Sequence, residues 1–356
     1  MQVFDGRPID LSRLPHAQTA LRTGACKPVS TTIIAFLLLA GVVLSHARLQ
    51  AEPPLMVVPE DAHLEELWNE GEFTEGVAVA PDGMVYFSDI PDVAAGRVLK
   101  YNPQTDETSV HCADSGKSNG LAFDPQGRLI AACGANGGRR ALCEITPVGN
   151  VRPLVERFEG HRFNSPNDLV IHPHGTIFFS DPRYVGAEPV ELDHQSVYVF
   201  HPRLPSKLSR LDTGITKPNG VMLSPDRKTL YVAETDNGTL DGSQPPANGT
   251  PLRMTLNAYE LNGDGPLRER RRVLVDFGQQ LGIDGMTVDG QGRIYAAVRS
   301  NDRFGIRVYS PQGKELAHIA TPSLPTNCGF GIGDDATSLY VTAGGGLYRL
   351  RLKTAE

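Results

Sequence analysis

Six segments of this chain repeat one pattern, and that repetition limits the possible folds more than any other feature. They are Glu75-Gly-Val-Ala-Val-Ala-Pro81, Asn119-Gly-Leu-Ala-Phe-Asp-Pro125, Asn167-Asp-Leu-Val-Ile-His-Pro173, Asn219-Gly-Val-Met-Leu-Ser-Pro225, Asp284-Gly-Met-Thr-Val-Asp-Gly290 and Asn327-Cys-Gly-Phe-Gly-Ile-Gly333. The first five read polar, Gly or Asp, apolar, any, apolar, any, then Pro or Gly; the sixth is degenerate. Their starts lie 44, 48, 52, 65 and 43 residues apart. Apolar residues alternate with period two in each, as in a half-buried strand.

A turn such as Pro81-Asp-Gly or Pro125-Gln-Gly follows each segment, and then a second apolar strand: MVYFSD, RLIAAC, TIFFSD, KTLYVAE, RIYAAV or SLYVTA. Two further strands follow in several units, as at Arg97–Asn102 with Thr108–Cys112, or Ser196–His201 with Leu208–Asp212. Four short strands per unit of about 45 residues, repeated radially, mark a β-propeller. The expected fold is therefore all-β, a six-bladed β-propeller spanning 52–356. Helical periodicity shows only weakly, around Ala62–Glu70. The extra length of the fourth unit, Gly238–Met254, is rich in Gly, Pro and Asn and reads as a surface loop.

The balance of 34 basic and 41 acidic residues, net charge −7, with 40% hydrophobic content, fits a globular domain and excludes a coiled coil, a disordered chain or a polytopic membrane protein. It also leaves no basic face for nucleic acid. Ahead of the repeats, Ile33–Leu44 is an apolar run too short for a bilayer span and suited to a signal peptide, with Ser45-His46-Ala47 behind it as a cleavage site. Residues 1–51 are expected to be a leader on an exported protein, periplasmic or secreted; an uncleaved N-terminal anchor is the alternative. Export would leave Cys112, Cys133, Cys143 and Cys328. Cys133 and Cys143 flank Gly138 in an expected hairpin, so they form either a cross-strand disulfide or free buried thiols. His172 and His174 flank a turn and read as solvent-exposed rather than ligating.

The innermost strand of each blade lines the central channel, so the first polar residue of every repeat converges there: Glu75, Asn119, Asn167, Asn219, Asp284 and Asn327. Six polar side chains around one axis are costly to leave dry and unpaired. Two carboxylates with several amide oxygens suit a hard divalent cation, and their charge of −2 balances it. Asn-Gly is also a hairpin-turn signal. Here, however, each Asn precedes its strand, and a separate turn comes six to eight residues later.

The segments EGVAVAPDGMVYFSDI (75–90), NGLAFDPQGRLIAAC (119–133), FNSPNDLVIHPHGTIFFSDPRY (163–184), KPNGVMLSPDRKTLYVAET (217–235) and GIDGMTVDGQGRIYAA (282–297) resemble the gluconolactonase / senescence-marker-protein (regucalcin) family. The resemblance spans residues 70–350. It implies a propeller with one catalytic divalent metal at the channel mouth, calcium first, with zinc, manganese or magnesium as alternatives. Glu75, Asn167, Asn219 and Asp284 fall on the family's metal ligands, and Asn119 on a channel residue that helps to hold substrate or metal-bound water. Two positions before Asn167, the animal regucalcin branch carries Arg; this chain has Ser165, closer to bacterial lactonases with NSPND.

The expected activity is hydrolysis of a sugar lactone by a monomer. The cation would polarise the carbonyl, and Asp284 would be general base, with ligand only or direct nucleophile as its rival roles. Arg183 and Tyr184 are rim candidates for sugar hydroxyls. The alternatives are a hydrolase of another ester, such as an organophosphate, and a non-catalytic calcium- or ligand-binding propeller.

Overall fold

Each of the six repeats becomes a four-stranded antiparallel sheet in a computed structural model that describes residues 57–59, 62–203, 207–239, 252–262 and 271–352. The expected leader over 1–51 and most of the Gly238–Met254 insertion lie outside the described residues. Among the described residues no helix is long and apolar enough to cross a membrane.

From the axis outward, blade 1 runs Thr74–Val79, Val85–Asp89, Arg97–Asn102, Glu107–Cys112, and blade 2 runs Ser118–Phe123, Leu129–Cys133, Ala141–Ile145, Val151–Val155. Blade 3 is Leu169–Ile171, Ile177–Asp181, Ser196–Phe200, Leu208–Arg210, and blade 4 is Pro218–Leu223, Thr229–Asp236, Arg253–Glu260, Arg272–Asp276. Blade 5 comprises Ile283–Val288, Ile294–Val298, Gly305–Tyr309 and Glu315–Ile319. Blade 6 takes Pro325–Phe330, Ser338–Ala343 and Gly346–Arg351 from the end of the chain and its outermost strand, Glu65–Trp68, from before blade 1. The innermost strands neighbour one another in ring order, with blade 6 beside blade 1.

That outermost strand corrects the weak helical reading of Ala62–Glu70. Four residues of strand there pair with Gly346–Arg351, Glu65 opposite Arg349, and Arg349 Nη2 lies 2.9 Å from Glu65 Oε2. An unpaired last edge is a liability in a sheet protein, and pairing it outweighs a faint local periodicity.

The six-fold division is also how the apolar residues are buried. Among the described residues there are six core clusters, one between each pair of adjacent blades. The second strands are covered on both faces, which explains their nearly unbroken apolar sequence. In blade 2, Ile130 and Ala132 face blade 3 while Leu129, Ala131 and Cys133 face blade 1. At roughly 1.5–3 kcal/mol per buried aliphatic side chain, these junctions dominate the stability of the ring.

Cys112, Cys133, Cys143 and Cys328 are all buried free thiols. Register explains why Cys133 and Cys143 are not bridged: Cys133 lies opposite Ala141 and Cys143 opposite Ala131, so the two are diagonal neighbours. His172 is buried at 8% exposure, a correction to the solvent-exposed reading; its Nδ1 accepts from the His174 N–H at 3.2 Å.

Candidate functional site

The pattern polar residue then Gly is a packing device between neighbouring innermost strands. A Cβ on Gly76 would lie 2.3 Å from Asn119 O, on Gly120 2.8 Å from Asn167 O, and on Gly220 2.4 Å from Asp284 O. On Gly285 it would lie 2.3 Å from Asn327 Cγ. Each of these glycines therefore lets the polar residue of the next blade come close. Pairing of the innermost strand with the second strand also breaks register here, between Glu75 and Val77, Ser118 and Leu121, Pro218 and Val221, Ile283 and Met286, and Pro325 and Asn327. Bulges of this kind re-aim side chains; this one recurs in five blades at the residues that line the axis.

Asp284 is the most engaged of the axial residues. Its Oδ1 accepts from Asn219 Nδ2 at 2.8 Å and its Oδ2 from Arg299 Nη1 at 2.5 Å. Asn219 Oδ1 is buried with no hydrogen-bond partner among the described residues. Glu75, 2% exposed, accepts from its neighbour's Gly76 N–H at 3.1 Å. Burial pushes its carboxyl well above the usual carboxylate range, and the charges of Asp284 and Asp168 push it further. Asn119 and Asn167 are half-buried. Asn219 and Asp284 thus meet at the junction of blades 4 and 5, and the charges of Asp284 and Asp168 reach Glu75.

Three features were not anticipated. Asp168 stands where blades 1, 2, 4 and 5 have Gly; its Oδ2 accepts from Val221 N–H of blade 4 at 2.9 Å, and Asn327 of blade 6 favours its charged form. Burial is the main reason its pKa is pushed up to about 7. Second, a buried acid at or near the end of the second strand of blades 1, 3 and 4 caps the backbone entering the innermost strand. Asp89 Oδ1 accepts from Glu72 and Phe73 N–H, Asp181 from Asn164 and Ser165 N–H, and Glu234 from Thr216 N–H. The endings FSD, FSD and VAE carried that signal. Third, Arg299 ion-pairs with Asp284.

The two rim candidates part company. Tyr184 is half-buried, its OH donates to Thr235 O at 3.0 Å, and Lys217 Nζ sits 5.1 Å from its ring centroid. Burial raises its phenol pKa well above the ordinary value, with Asp284 the largest charge acting in the same direction, so Tyr184 belongs to the neighbourhood of the site. Arg183 is fully buried and donates from Nη1 to Glu188 Oε2 at 2.9 Å. In this conformation it braces its own loop, and its Nε and Nη2 are also buried, without hydrogen-bond partners among the described residues.

The donor set fits a hard divalent cation. Two carboxylates at the axis repel one another, an amide oxygen beside them is unpartnered, and the remaining donors are neutral amides. Among the described residues no group of three or more His, Cys, Asp and Glu side chains is placed to hold a metal ion, so a cation at the axis would rest on fewer acidic ligands completed by amide oxygens.

A family profile described as the SMP-30/Gluconolactonase/LRE-like region matches residues 73–345. The chain belongs to that family. Among its relatives is a gluconolactonase of Zymomonas mobilis, 30% identical over 336 residues, covering 86% of this chain and 84% of that protein. A pentonolactonase of Haloferax volcanii is 27% identical over 265 residues, covering 72% of this chain and 76% of that protein. Among solved structures, a gluconolactonase from Xanthomonas campestris superposes with a TM-score of 0.70 at 31% identity, covering 84% of this chain and 92% of that one. A calcium-binding regucalcin from Agrobacterium tumefaciens shares the fold at 20% identity, with a TM-score of 0.60 over 79% of this chain and 90% of that one. The six-bladed propeller of this chain is thus the fold of its family.

Proposed function

We propose that this protein hydrolyses sugar lactones, using a divalent cation held by Glu75, Asn167, Asn219 and Asp284, with calcium the favoured ion. The enzyme class is that of the relatives named gluconolactonase and pentonolactonase. The observation that carries the metal reading is the contact of Asn219 with Asp284, which leaves one buried amide oxygen without a partner beside two mutually repelling carboxylates.

When bound, the cation supplies Lewis-acid polarisation of the lactone carbonyl. The chain does the rest. Asn219 Nδ2 and Arg299 Nη1 fix both oxygens of Asp284, so this carboxylate meets an incoming water in one orientation. Asp284 takes a proton from that water as its oxygen adds to the carbonyl carbon. The ring C–O bond then breaks, the ring oxygen takes up a proton, and the product is the open hydroxy acid. Asn119, half-buried in the channel, orients the substrate or the attacking water. Tyr184 flanks the mouth through its bond to Thr235.

The substrate class is tested by comparing glucono-δ-lactone and a pentonolactone with an acyl-homoserine lactone and an aryl phosphotriester. The reading requires the sugar lactones to turn over at least a hundredfold faster than the other two. A preference for the phosphotriester, or binding of calcium with no turnover of any substrate, would replace it.

A further inference from the structure

Arg299 follows the second strand of blade 5. Strand register places it level with Ile90, Gly134, Pro182, Thr235 and Gly344 of the other blades, and it alone of the six is charged. Five blades close without a charge at this position, so the propeller itself does not require one.

Its backbone N–H donates to Gly282 O at 2.9 Å, which fixes the residue at the channel entrance. The guanidinium turns inward, with Nη1 at 2.5 Å from Asp284 Oδ2 and the carbon at its centre 5.8 Å from the centroid of the Phe73 ring at the entry to blade 1. Asp284 is 7% exposed and the Arg299 side chain 24%, so this pair is shielded from the screening that makes exposed ion pairs weak. A fixed positive charge in contact with a carboxylate opposes a second cation on the same group. Hydrogen bonds to a ligating group also tune how much charge it donates.

We propose that Arg299 is a positioning residue acting through Asp284: it draws charge from Oδ2, so that the axial site grips its cation less tightly and leaves it more electrophilic towards the substrate carbonyl. The inference rests on the cation site proposed above.

The test uses the full chain with Arg299→Met and Arg299→Lys, calcium titration calorimetry on the chelated proteins, and kcat for glucono-δ-lactone at saturating calcium. Removing the charge should tighten calcium binding by about tenfold or more while slowing turnover by about tenfold or more. The Lys variant keeps the charge but not the planar fork, and should fall between wild type and Met on both readouts. A brace with no electrostatic role would behave differently, since its loss would weaken calcium binding and slow turnover together. Unchanged or weaker calcium binding in the Met variant therefore overturns the proposal. Should the Met variant unfold, Arg299→Gln, also neutral, must show the same tightening. If wild type binds no calcium, manganese, zinc or magnesium, the cation site itself falls and this inference with it; if wild type binds and neutral variants do not tighten, only this inference falls.

Discussion

Asn219 of blade 4 donates its Nδ2 to Oδ1 of Asp284 of blade 5 at 2.8 Å, and this bond turns the other end of the amide into an acceptor with no partner among the described residues. Two residues 65 positions apart are thereby made into one binding edge. Asp284→Asn removes the proposed base and one proposed ligand charge without changing shape. It should lower turnover of a sugar lactone by about a thousandfold while leaving the thermal midpoint within a few degrees. Asn219→Ala should weaken calcium binding by about 10–100-fold, read by calorimetry. Unchanged turnover in the Asp284 variant would remove it from the reaction.

Stability should depend on pH in an unusual direction. Asp168 and Asp181 are buried carboxyls pushed up to about 7, chiefly by burial, from an ordinary value of 3.8. Between those values the folded chain holds protons that the unfolded chain releases. Their contribution to stability is complete below about pH 4 and is lost as pH rises through about 7. The urea midpoint of chelated protein should fall from pH 5 to pH 8, and Asp181→Asn should flatten the trend. Calcium should restore stability most at pH 8, by binding the folded state alone. A midpoint that climbs over this range would show that these carboxyls do not carry raised values.

Gly220 separates two kinds of glycine effect. A Cβ there would meet the backbone oxygen of Asp284 at 2.4 Å, whereas one on Gly290 would meet nothing within 4 Å. Gly220→Ala should cost about 1–3 kcal/mol and lower the thermal midpoint by several degrees. Gly290→Ala should be near neutral in the same melting experiment. Equal effects would deny that blades 4 and 5 are held together at this point.

Ring closure has its own reporter. Trp68, the one tryptophan of the chain, ends the strand that completes blade 6. It packs edge-on against Phe87 of blade 1 at 5.3 Å, with Arg97 5.6 Å from its ring centroid. Trp68→Ala should destabilise by about 2–4 kcal/mol. In wild type, Trp68 fluorescence and the far-ultraviolet strand signal should change in one transition. An earlier fluorescence change would mean that this strand undocks before the ring opens.

The blades were readable because each repeat carries its own alternation and turn, and the second strands fall where the sequence places them, from Val85–Asp89 to Ser338–Ala343. Even the degenerate sixth segment brings Asn327 against Gly285 of the neighbouring innermost strand. What escaped reading depends on contacts between blades. The strand Glu65–Trp68 forms because residues near the end of the chain pair with it. Asp168 shows as a site residue only once Val221 and Asn327 are brought beside it. Arg299 follows an ordinary apolar strand, and only the fold reveals that it reaches Asp284. Arg183 resembled a rim residue because it follows a strand ending, but Glu188 draws it inward.

On the proposed function, the axial residues hold a cation required for lactone hydrolysis. The most direct measurement is proton release from glucono-δ-lactone by purified protein, first after exhaustive chelation and then with calcium, zinc, manganese or magnesium returned singly. Turnover should vanish on chelation and return with at least one ion, calcium foremost. Undiminished hydrolysis by the chelated protein, or folded protein that stays inactive with every ion, would rule out a cation-dependent lactonase.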